Sequence, residues 1–362
     1  MSRLMLIMLA ILAYGFIPNK AAEKLVPSGE LNIHAMLQPT PLTAKFINDT
    51  SYIWCGTMVK SHLDQKYHLF YSRWSRKLGM AAWATHSEVA HAVSDSPFGP
   101  FKFKDIALPF RGASYWDGMV THNPTVHFYN GRYFLYYMGN YGDGKVTSPQ
   151  LNWTHRNHQR IGVAIADNPN GPWQRFDKPL IDVSPDSTAL DAQLVTNPSV
   201  TQMPDGRFLM VYKAVGKKRP QPFGGPVVHL TAVSNRPEGP FVKQNKPIFT
   251  RENVDFPAED PFVWYQDSCY YAIVKDMKGA FTRSGRSLVL FYSLDGLNWK
   301  LAKYPLVSTL NIKWEHGTTQ KLEALERPQL FFENGRLVAL LCAVNETLGH
   351  SYNVQIPLKS KL

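Results

Sequence analysis

The sequence predicts an all-β chain folded as a five-bladed β-propeller, with four antiparallel strands in each blade. Three observations carry that expectation. A hairpin phrase is written four times and once more in degenerate form. A second strand–turn–strand phrase follows most copies. The copies recur at roughly 65–75 residues, a period that marks a repeat architecture.

The hairpin phrase reads NPTVHFYNGRYFLYYM at 123–138, NPSVTQMPDGRFLMVYK at 197–213, DPFVWYQDSCYYAIVK at 260–275 and RPQLFFENGRLVALLC at 327–342. In each, a Pro opens an alternating apolar stretch, a Gly, Asp or Asn turn reverses the chain, and a second stretch follows. Period-two alternation gives each strand one buried face. The degenerate copy is IWCGTMVKSHLDQKYHLFYS, residues 53–72.

The second phrase reads AHAVSDSPFGPFKF at 90–103, IGVAIADNPNGPWQRF at 161–176, HLTAVSNRPEGPFVK at 229–243 and LVLFYSLDGLNWKLA at 288–302. Each supplies one strand, a turn and an edge strand, which completes a four-stranded blade. The last tract, SYNVQIPL at 351–358, is expected to close the ring as an outer strand.

Composition agrees with one large core. The chain has 362 residues, of which 44% are hydrophobic and 13% aromatic, and no Pro/Ser-rich linker or charge block divides it. Residues 23–362 are expected to form a single propeller domain. Residues 1–22, with Arg3, an apolar run at 4–17 and small residues at 21–22, predict a signal peptide and a secreted or periplasmic protein. An N-terminal anchor is the competing reading, although the run is short for a bilayer.

Cys55, Cys269 and Cys342 are an odd set with no metal-ligand spacing. The net charge of +11 is spread along the chain rather than gathered into runs, which argues against nucleic acid as a partner. Aligning the hairpins puts Lys213 and Lys275 at one position, with Arg73 one residue beyond. Those three could rim a funnel that takes an anionic sugar, such as a uronate or sulfated sugar. A solvated basic surface is the alternative.

The blade entrances read WDGMVTHNP (116–124), LDAQLVTNP (190–198), PAEDP (257–261) and ALERP (324–328). Asp117 and Asp191 each stand six residues before the Asn of their phrase, and Glu259 aligns with Glu326. Carboxylates that converge at one mouth repel each other and separate in pKa, as glycoside hydrolysis requires. In the competing reading the aspartates cap turns and a glutamate pairs with an arginine. His122 is a further proton-transfer candidate, with a buried, backbone-bonded histidine as its alternative. Trp54, Trp116 and Trp264 lie on or beside inner strands, where a flat face can stack on a sugar.

The AEDPFVW and ALERPQLFFENG phrases, with the SDSPFGPFK and ADNPNGPW turns, resemble the five-bladed propeller glycosidases: glycoside hydrolase family 43 and its relatives, families 32 and 117. The resemblance covers about residues 45–360. It implies an inverting hydrolysis of a terminal glycosidic bond in a plant or algal oligosaccharide. Glu259 matches the family's acid and Asp191 its orienting Asp. The first blade reads IWCGTMVK, without the family's basic Asp, so Asp117 is the candidate base. Glu326, His122, Lys213, Lys275, Arg73, Trp54, Trp116 and Trp264 are the candidate substrate contacts. No catalytic metal is expected, although the resemblance leaves room for a structural channel cation such as calcium, near His122 or His316. A phosphate-dependent phosphorylase and a sugar-binding propeller without activity are the rival functions.

Overall fold

The computed structural model describes residues 30–347 and 349–359. The expected leader at 1–22 lies outside them. Five four-stranded antiparallel sheets follow one another along the chain. Their innermost strands are Ser51–Lys60, Val120–Tyr129, Leu194–Gln202, Ala258–Gln266 and Ala324–Glu333, for blades I to V. These are the first strands of the five hairpin phrases. Each pairs with the strand that follows it across a short turn.

Blade V departs from expectation in one respect. Ser351–Pro357 is its third strand, and the outermost is Lys45–Ile47 from the other end of the described chain, in register Lys45 with Val354 and Ile47 with Tyr352. The ring is therefore closed by segments from both ends of the described residues. A three-residue edge strand with little periodicity gives the sequence no signal to read.

Apolar side chains collect where neighbouring sheets face each other. Separate clusters fill the seams I/II, II/III, III/IV, IV/V and V/I, for instance Phe70 with Val126 and Leu135, and Ile273 with Leu330 and Leu340. Tyr71, Tyr137 and Tyr212, at matching places in the second strands, are essentially inaccessible to solvent. Burying each large apolar group stabilises the fold by roughly 1.5–3 kcal/mol.

The Gly-Pro turns that precede the outer strands of blades I to III also repeat. Gly99, Gly171 and Gly239 have φ of 74°, 80° and 86°, each followed by a cis proline. A Cβ on Gly99 would fall 2.3 Å from the Thr43 carbonyl oxygen, so glycine is required there by space as well as by φ.

Candidate active site

The geometry of the site begins with a bulge repeated in all five inner strands. The register slips between Trp54 and Thr57, His122 and Thr125, Thr196 and Ser199, Glu259 and Phe262, and Glu326 and Gln329. The residue just inside each slip is left-handed: Cys55, Asn123, Asn197, Asp260 and Arg327, with φ between 52° and 57°. Asn and Asp tolerate that region, whereas Cys and Arg enter it at a cost of order 1–3 kcal/mol. Proline follows in four of the five cases, where no amide hydrogen is needed. In blade I the residue is Gly56, whose amide donates to Asn353 Oδ1 at 3.2 Å.

The bulges bring one side chain per blade into a connected girdle. The Cys55 thiol donates to Asn123 Oδ1 at 2.8 Å, and Asn123 Nδ2 donates to Asn197 Oδ1 at 2.5 Å. Asn197 Nδ2 donates to Asp260 Oδ1 at 2.8 Å, and Arg327 Nη1 donates to the same oxygen at 3.3 Å. The Arg327 guanidinium lies beside the Cys55 thiol and completes the circuit. All five residues are buried.

Above the girdle opens a funnel of about 700 Å³. The residues one step before the girdle in blades I, II, IV and V line it: Trp54, His122, Glu259 and Glu326. One wall is aromatic, made by Trp54, Trp74 and Trp83 with Met80. The opposite wall is charged. Lys213 donates to Glu259 Oε1 at 2.5 Å, and Lys275 contacts Glu259 Oε2 at 3.5 Å. Lys275 also donates to Glu326 Oε1. The hairpin phrases explain the clamp: Lys275 faces Glu259 across its own blade, while Lys213 reaches in from blade III.

These contacts push the two glutamates in opposite directions. Burial raises the Glu259 carboxyl, but the Lys213 and Lys275 charges outweigh it and hold the group down at about 2. Burial also raises Glu326; Lys275 opposes this, and the Asp260 and Glu259 charges leave the balance upward. Asp260 is raised by burial and by Glu259, against Arg327. Burial and the Arg327 charge lower His122 to about 3, so its ring is neutral at ordinary pH. His122 Nδ1 lies 2.7 Å from Ser87 Oγ, and its ring stacks on Trp83 at 5.1 Å.

Several of the sequence candidates stand elsewhere. Asp117 is outside the funnel and fully buried, accepting from Arg111 Nε at 2.6 Å and Tyr137 Oη at 2.6 Å, with Arg175 Nη1 at 3.5 Å. Asp191 is also outside, 2.6 Å from Lys243 Nζ on the outermost strand of blade III. The expected convergence of four carboxyls is thus corrected to Glu259 and Glu326, joined by Asp260. The shared six-residue spacing of the two aspartates reflects an anchor repeated in blades II and III, from the entrance loop to the outer strand. Arg73 faces the Phe103 ring at 4.9 Å, away from the funnel. Trp116 donates to the Phe176 carbonyl and stacks on Tyr137, and Trp264 is buried against Tyr271 near the other end of the channel.

The anchor predicts how an Asp117 variant behaves. Asp117→Ala leaves Arg111 and Arg175 facing a void, and breaking a buried pair costs about 3–5 kcal/mol. A lowered denaturation midpoint with near-normal turnover per folded molecule is the expected result. Unchanged stability with turnover lost would return Asp117 to the chemistry.

Asp260, Arg327, Trp74 and the girdle asparagines were not among the sequence candidates. A signal for the girdle was present in the residue that precedes Pro124, Pro198, Pro261, Pro328 and Gly56. Among the described residues no group of His, Cys, Asp and Glu side chains is disposed to hold a metal ion, and no helix is long and apolar enough to cross a membrane. His316, the other residue considered for a channel cation, is exposed beside Thr318.

No protein-family model and no curated protein sequence matches the chain. Solved structures do. Zg3597, a family 117 glycoside hydrolase of the marine bacterium Zobellia galactanivorans, aligns with a TM-score of 0.60 at 17% identity, over 88% of this chain and 89% of that one. The fold is that of the five-bladed propeller glycosidases. The arabinanase Arb43A of Bacillus subtilis aligns with a TM-score of 0.56 at 16% identity, over 85% and 94%. The endo-arabinase of Bacteroides thetaiotaomicron aligns with 0.55 at 11%, over 89% and 98%. At these identities the likeness is one of fold.

Proposed function

We propose that the protein is a glycoside hydrolase whose reacting pair is Glu259 and Glu326. The observation that carries this reading is a pair of carboxyls at equivalent positions on adjacent blades. They share Lys275, have opposite pKa directions and face an aromatic wall across one funnel. A protonated acid beside an ionised carboxylate is what cleavage of a glycosidic bond requires. The solved relatives named as glycoside hydrolases support the class.

Glu326 is the acid in this reading. It gives its proton to the leaving oxygen as that bond breaks, while a Glu259 oxygen bonds to the anomeric carbon. Water then gives a proton back to Glu326 and displaces Glu259. A shared ammonium keeps the nearest oxygens of the two carboxyls within roughly 6 Å. That limit admits the ~5–5.5 Å spacing of retaining pairs. In this reading retention stands in place of the inversion that the family resemblance implies, and Glu326 in place of Glu259 as the acid.

The test is the anomeric configuration of the first-formed product, read by proton NMR before mutarotation. The substrate's own configuration is expected. The opposite anomer would overturn the assignment, and binding without turnover would favour a sugar-binding propeller. Turnover that requires phosphate would favour a phosphorylase.

Lys275 offers a second check. Its charge lowers both glutamates, so Lys275→Met raises both pKa values. Both limbs of the kcat/KM profile are expected to move to higher pH together. An unmoved profile would remove Lys275 from the tuning of the pair.

A further inference from the structure

We infer that the funnel is built for a sugar bearing an acidic group, with the anion held at the lip by Arg286 and Lys321. This rests on reading the funnel as a sugar site and names its substrate class. The inner cations have partners. Lys213 and Lys275 are bound by Glu259 and Glu326, and Arg327 by Asp260. Lysines 213 and 275 are therefore taken by the catalytic pair, not free for a ligand's charge.

Arg286 and Lys321 also line the cavity, both exposed, and among the described residues neither makes an ion pair or hydrogen bond through its side chain. The lip carboxylate near them, Glu323, accepts from Asn345 Nδ2 at 3.2 Å. Two cations thus meet a single carboxylate there, a surplus that an anionic ligand can neutralise.

The segment that carries Arg286 is also organised. Asp276, fully buried at the end of the second strand of blade IV, accepts from the backbone amides of Ala280, Phe281 and Thr282 at 2.8–3.0 Å. It accepts from the Thr282 hydroxyl as well. That carboxylate is consumed within the loop, so it does not neutralise Arg286. Lys321 ends a small hairpin, Asn311–Lys313 with Thr319–Lys321, inserted before blade V. Two independent insertions therefore each bring a cation to the same lip.

A uronate and a sulfate ester share this chemistry, and the test separates them. Calorimetric titration of the full chain would use glucuronic and galacturonic acids, their neutral parents glucose and galactose, and galactose 6-sulfate. Each titration would be run at low and high salt. An acidic sugar is expected to bind more tightly than its neutral parent, with affinity falling as salt rises. Tight binding of the uronic acids alone identifies a carboxylate, and of the sulfate alone a sulfate ester. Arg286→Gln and Lys321→Gln should each weaken acidic-sugar binding about ten-fold to over a hundred-fold, the range for a charge-assisted contact. Neutral-sugar binding should be unchanged. Acidic sugars that bind no better than neutral ones, or whose binding ignores both substitutions, would overturn the inference. Because binding is read without turnover, acid-selective binding by a chain that cleaves nothing would sink the hydrolase reading and leave this one standing.

Discussion

Glu326→Gln is expected to fold like the parent and to lose about 10²–10⁴-fold in turnover on glycosides with poor leaving groups. The amide keeps the shape of the side chain and its contact with Lys275 but has no proton to give. Activated aryl glycosides need no proton on the leaving oxygen, so bond cleavage on them should be nearly spared. Release of the sugar from Glu259 would then become slow, because Glu326 also activates the water. A burst of aryl alcohol equal to the enzyme concentration, followed by a slow steady state, is the specific signature. Azide, a nucleophile that needs no base, should restore the steady rate. Equal losses on both substrate types, without a burst, would make Glu326 a binding residue.

Glu259→Gln is expected to remove turnover on every substrate, by about 10⁴–10⁶-fold, the scale at which loss of a nucleophile is felt. No leaving group compensates for a missing bond to the anomeric carbon, so activated substrates should fail with the rest. The substitution also leaves Lys213 and Lys275 with one carboxylate fewer. A thermal melt must accompany the kinetics, since an unpaired buried charge is costly. A folded variant with turnover on aryl glycosides preserved would exchange the roles of the two glutamates. In the parent, the Lys213 and Lys275 charges confine loss of the ionised form of Glu259 to about pH 2. Activity should therefore hold far into acid and fall on the alkaline side, as Glu326 gives up its proton. The sign follows from the roles: the nucleophile must be ionised and the acid protonated.

The architecture was legible because it is periodic. The five hairpin phrases became five inner strands and their turns, and the alternation within each phrase became the seams between blades. Glu259 and Glu326 were found by aligning phrases, and both face the funnel. The same procedure misplaced Asp117 and Asp191, because a matched position in a repeat shows a shared environment without showing which way that environment faces. Arg111 stands six residues before Asp117, but the outer-strand partners, Arg175 and Lys243, lie about 50–60 residues further along the chain, and no pattern in the entrance loops points to them. Trp74 and Arg286 reach the funnel from a second strand and a loop, outside the repeated inner-strand positions. The aromatic wall likewise depends on side chains that lack counterparts in the other blades.

The girdle has a consequence for traffic. Cys55, Asn123, Asn197, Asp260 and Arg327 interlock across the axis, and beneath them Thr57, Thr125, Ser199 and Gln329 are buried as well. The channel is thus stoppered, and the funnel is a dead end. Anything that enters must back out through the doorway it used, and a polymer cannot be fed through the ring like thread through a needle. Each encounter begins and ends at the same opening, so a fragment lodged at the bottom blocks the next arrival until it leaves.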